Sequence, residues 1–126
     1  MSKPYDTPLA DNGKSWLIRE LNDEFRTAPV LIAAAIALDH LVITDGVAHH
    51  GNDFIDRAVK AVRDFSQFSE DNDPYGEHDF GIFEIDGVKL NWKIDYYDLE
   101  LKFGSPDPAD PLLTRRVLTI LLAEEY

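Results

Sequence analysis

The run DFGIFEIDGVKLNWKIDY, Asp79 to Tyr96, constrains the fold more than any other stretch of the chain. Two alternating apolar–polar segments flank Asp86-Gly87, and Asp-Gly between such segments is the strongest short hairpin signal, because both turn residues accept positive φ. Taking the dipeptide as a two-residue turn pairs Ile85 with Val88, Glu84 with Lys89, Phe83 with Leu90 and Gly81 with Trp92. One face then carries Phe83, Ile85, Val88, Leu90 and Trp92, continued by Ile94 and Tyr96. A slip of one residue would expose this whole set and bury the charges, so the register is strongly specified. Trp92 lies over Gly81, covering backbone that has no side chain of its own. Glu84 and Lys89 form an opposite-charge pair on the second face.

The flanking segments supply helices for the apolar face. SWLIRELNDEFRT repeats Leu17, Leu21 and Phe25 at four-residue steps, an amphipathic helix that Pro29 ends. HLVITDGV is β-branched and closes on Asp45-Gly46, which predicts a short strand and a turn. NDFIDRAVKAVRDFSQF predicts a second helix, capped by Asn52 or Asp53, with Ile55, Val59, Val62 and Phe65 on its apolar side. GSPDPADP is a stiff loop ending in Asp110-Pro111, a suitable start for a last helix through Leu113, Val117, Leu118 and Leu121. The expected architecture is one α+β domain over residues 14–126, preceded by a loose arm at 1–13. Its antiparallel sheet is built on the hairpin at about residues 79–97, with helices packed on its apolar face.

Charge is the unusual property. Twenty-four acids against 12 Lys and Arg leave a net charge of -12, and residues 69–110 alone hold twelve acids and three bases. Such a field repels phosphate at long range, which argues against direct nucleic-acid binding and favours a basic protein surface as partner. The chain has no cysteine, so disulfides and thiolate zinc sites are excluded. The amino-terminal residues lack an apolar signal core, and APVLIAAAIAL (Ala28 to Leu38) is shorter than the roughly 20 residues a membrane-spanning helix needs. The expectation is a cytoplasmic protein with no membrane contact, in which this segment is a buried helix or a helix–strand junction.

SEDNDPYGEHDFG, Ser69 to Gly81, concentrates five acids and one histidine. An EF-hand reading fails, since Tyr75 and Ile82 would stand where oxygen ligands are required. Alternation along a strand puts Glu77 and Asp79 on one side and His78 on the other, where Asp95 would face it. A metal-dependent hydrolase or nuclease using Glu77, His78, Asp79 and Lys93 is the enzymatic alternative; Asn91 stands in Asn-Trp-Lys where a second acidic ligand is usual. The simpler reading is a turn made by Asp71, Asn72 and Asp73, stiffened by Pro74 and relaxed at Gly76. No cofactor or metal is expected. Phe80, Ile82 and Tyr97 lie on the hairpin's second face, where they offer a dimer or partner contact.

DNDPYGEHDFG, WKIDYYD, GSPDPADP and TRRVLTILLAEEY together resemble a proteobacterial family catalogued as a domain of unknown function. The resemblance covers LNDEFR and most of Leu41 to Tyr126. It implies a passenger of plasmids and integrative elements, carried near anti-restriction and conjugation genes. The expectation that follows is a non-enzymatic acidic protein that blocks a DNA-directed host defence system of the restriction or CRISPR kind by carboxylate mimicry of nucleic acid. The residues expected to meet the partner are Asp71, Asp73, Tyr75, Glu77, Asp79, Asp98, Glu100, Asp107 and Asp110.

Overall fold

In a computed structural model that describes residues 13–126, the hairpin forms with the register read above. Strand β2 (Phe80–Ile85) pairs antiparallel with β3 (Val88–Tyr97), and Gly81 stands opposite Trp92. Asp86 and Gly87 take φ of +52° and +78°, as the turn requires. The arm assigned to residues 1–13 lies outside the described residues apart from Gly13.

Helix α1 (Ser15–Thr27) ends before Pro29, helix α2 (Ile32–Ala37) is short, and β1 (Leu41–Ile43) follows it. The alanine-rich segment is thus a helix–strand junction, but no residue of α2 is buried. Asp45-Gly46 is not a turn between elements: it opens a four-residue helix α3 (Asp45–Ala48), because the Thr44 side chain accepts the Val47 N–H and caps it. Helix α4 (Asn52–Asp64) has Gly51, at φ +94°, as its cap, one or two residues before the expected Asn52 or Asp53.

The last segment departs most from its reading. Residues Arg115–Leu122 form strand β4, followed by a single 3-10 turn at Ala123–Glu125. β4 is an inner strand of a four-stranded sheet ordered β1-β4-β3-β2, antiparallel to β3 and parallel to β1. The sheet is therefore mixed and not purely antiparallel. An inner strand buried on both faces reads as a continuous apolar run, and such a run has no period that separates it from a buried helix. Arg116, Val117, Leu118, Ile120, Leu121 and Leu122 are indeed all buried. Asp110 caps no helix; its Oδ1 accepts the Leu112 N–H in a turn.

The core lies between the sheet and the helices. Leu90, Trp92, Ile94, Leu118, Ile120 and Leu122 point inward and meet Phe54, Ala58, Val59 and Val62 of α4. Trp92, Leu90 and Ile120 are fully buried. On the second face Ile82 is 56% exposed, whereas the Phe80 ring lies 5.8 Å from that of Tyr126.

Candidate functional site

The topology collects three acidic loops at one end of the sheet. β3 finishes there, while β2 and β4 begin there, so residues 65–79, 98–104 and 104–114 all border that end. The last two are joined at their base by a bridge between Tyr97 and Gly104.

Each loop is held by its own carboxylates. Asp73 is buried, and its Oδ1 accepts the N–H groups of Glu77 at 3.1 Å and His78 at 3.2 Å. Asn72 accepts the Ser69 N–H and donates to the Gln67 carbonyl, and Gly76 takes φ +67°. Burial raises the Asp73 carboxyl above its ordinary value, an effect opposed by the His78 and Glu77 amides. Asp98 Oδ1 accepts from the Glu100 and Lys102 amides, and the Lys102 amide is the main cause that lowers its pKa. Asp107 is lowered first by a 3.1 Å bond from Lys14 Nζ and next by the Ala109 amide.

A buried polar hub ties these loops to the fold. Asn22 on α1 is fully buried and donates to the Glu77 carbonyl at 3.0 Å and the Tyr96 hydroxyl at 2.8 Å. Its Oδ1 accepts from Arg116 Nε at 2.7 Å, and Arg116 Nη2 reaches the Pro108 carbonyl at 2.6 Å. Tyr96 donates onward to Glu77 Oε1 at 2.8 Å. Burial, then the Asp79 and Glu77 charges, push the Tyr96 hydroxyl well above its usual range. Asp79, half-buried, is raised to about 6, first by burial and then by the Glu77 and Asp73 charges.

The nine expected partner residues therefore divide. Asp71, Tyr75 and Glu100 are exposed, and Asp98, Asp107 and Asp110 are half-exposed on the same end. Asp73, Glu77 and Asp79 are engaged with the protein's own interior, Asp73 as a cap and the other two beside Tyr96. The same loops expose Leu99 (54%), Phe103 (74%) and Leu112 (80%), which sequence reading passed over. Phe103 and Leu112 flank a Pro-rich stretch, and large apolar residues within turn sequence were the available signal.

The enzymatic set does not converge. His78 does not face Asp95: it adopts φ +55°, stacks on Phe68 at 3.7 Å and places Nδ1 2.9 Å from Asp23 Oδ1. β2 begins only at Phe80, so alternation does not extend back to His78. Lys93 donates to Asp95 at 2.8 Å, on the opposite sheet face from the inward-pointing Trp92 and Ile94. Among the described residues no three His, Asp or Glu side chains are placed to hold a metal ion. Nor is any of their helices long and apolar enough to cross a membrane.

These features define a small α+β protein with a four-stranded mixed sheet, helices on one face, and acidic loops with exposed apolar side chains at one end. A family model described as a protein of unknown function (DUF3768) matches residues 43–125, more than half of the chain, and the chain belongs to that family. No curated protein and no solved structure matches it.

Proposed function

We propose that this protein is a non-enzymatic binding module of mobile genetic elements that docks its acidic sheet end on a cationic protein surface. The observation that carries the reading is the mixture on that end: Asp71, Glu100 and Asp110 lie on the same three loops as Tyr75, Phe103 and Leu112. Aromatic and aliphatic anchors surrounded by charge are the make-up of protein interfaces, where the anchors supply affinity and the charges steer approach. Duplex DNA presents about one negative charge per 1.7 Å of its axis, so clustered carboxylates suit a groove built to hold it. A restriction or CRISPR nuclease so occupied would lose access to its substrate.

The hub at Asn22 supports this reading. It anchors the 65–79 loop to α1 and β3, and, through Arg116 and Pro108, the 104–114 loop to β4. Loops held in this way present their charges without a large ordering cost on binding. The partners of His78 and Lys93 favour binding over the hydrolase alternative, which needs both side chains beside Glu77 and Asp79.

The test is DNA cleavage by a panel of restriction and CRISPR nucleases in the presence of the purified protein. The expected result is inhibition of one class. It should weaken at least tenfold both in an Asp71→Asn, Glu100→Gln, Asp110→Asn triple variant and in a Phe103→Ser, Leu112→Ser double variant. Cleavage unaffected by the parent protein, or inhibition that neither variant reduces, contradicts the reading.

A further inference from the structure

A second feature lies away from the acidic loops. Beneath α2, between the end of α1, helix α4 and strands β1 and β4, is a pocket of about 270 Å³. Its walls are apolar, with Phe25, Ile32, Ala35, Val59 and Leu118 among them. Its polar side chains are Arg26, Arg63 and His40. Among the described residues no Asp or Glu lines it, although acids outnumber Lys and Arg 24 to 12 in the chain. Residues 28–38, which form one wall, carry no charge at all.

The two arginines differ in what they leave free. Arg26 is buried: Nη1 donates to the carbonyls of Val62, Arg63 and Phe65 and Nη2 to Asp23, while Nε is buried without a partner among the described residues. Its guanidinium also lies 5.2 Å over the Trp92 ring. It is a structural tie between α1 and the end of α4. Arg63 is half-exposed, lines the pocket and donates from Nη2 to the Val30 carbonyl, its one side-chain hydrogen bond among the described residues.

We propose that this pocket binds a small anionic amphiphile, an alkyl monocarboxylate, with its chain against Phe25, Ile32, Val59 and Leu118 and its carboxylate on Arg63. Charge selects the occupant. An apolar pocket whose charged lining among the described residues is cationic pairs with a carboxylate and disfavours cationic amphiphiles, a local preference that acts against the long-range field of the acidic chain. Apolar walls with a few convergent polar groups are the usual make-up of a ligand pocket. At roughly 30 Å³ per water-sized group, the volume of about 270 Å³ accommodates a chain of octanoate size.

Calorimetric titration with octanoate, octanol and octyltrimethylammonium tests the proposal on the full chain. Octanoate is expected to bind at least tenfold more tightly than either of the others. Arg63→Gln should reduce octanoate to the level of octanol and leave octanol unchanged. Ala35→Phe, which fills the pocket, should remove both; Ala35→Leu is the milder filler if circular dichroism shows the first variant misfolded. Octanoate binding no tighter than octanol, or unchanged by Arg63→Gln, overturns the proposal. So does a particle mass that doubles with protein concentration and returns to monomer in Ala35→Phe, since a second copy would then cover the pocket.

Discussion

Asp79 shows how the acidic segment works against its own stability. Its folded pKa of about 6 lies above the ordinary 3.8, so the folded state holds the proton more tightly than the unfolded chain does. Stability from this group is therefore greatest below about pH 4 and falls as pH rises toward 6, where the loss levels off. Asp79→Asn keeps the shape and removes the charge. It should raise stability at pH 7 by about 1–2 kcal/mol, with the gain vanishing near pH 4. Thermal melts of both proteins across that range check the sign, and a loss of stability at pH 7 would refute it. Asn22 is the opposite case. Asn22→Ala leaves Arg116 Nε without its partner in a buried site, and a cost of about 2–3 kcal/mol is expected in denaturant unfolding. Hydrogen exchange should also speed up in residues 73–79, because the Glu77 carbonyl loses its tie to α1.

At the scale of elements, the hairpin was legible because everything that fixes it is local: a two-residue turn, alternation, and an aromatic over a glycine. A Cβ at Gly81 would run into the Trp92 indole nitrogen and come within 2.8 Å of the Phe65 ring. The Gly81→Ala protein should therefore lose about 1–3 kcal/mol through overpacking, as measured by chemical denaturation; an unchanged midpoint would mean that Trp92 is free to move. β4 was not legible, because its burial depends on two neighbours distant in sequence. Leu118 lies opposite Leu41 on one side and Ile94 on the other, and no local pattern reports that. The turn chemistry of Asp71 to Gly76 was readable for the same reason as the hairpin, since an Asx cap and a positive-φ glycine act within five residues. The hub was not, since Asn22 and Arg116 are 94 positions apart. Likewise, alternation carried back past Phe80 placed His78 wrongly, since its ring is fixed by Phe68 and Asp23 from other elements.

On the scale of the whole molecule, the uneven charge of the sequence becomes a polarity of the fold, because three acidic loops border one end of one sheet. If that end docks on a cationic nuclease, affinity should fall steeply with added salt, since exposed charges are screened over about 10 Å at 0.1 M. The measurement that bears most directly on this is the salt dependence of binding to such a nuclease. It should compare the parent chain, the Asp71→Asn, Glu100→Gln, Asp110→Asn variant, and a control with Asp53, Asp56 and Asp64 on α4 changed to Asn. The account predicts a steep salt slope that flattens only in the first variant. A slope near zero, or equal flattening in the α4 control, would contradict it.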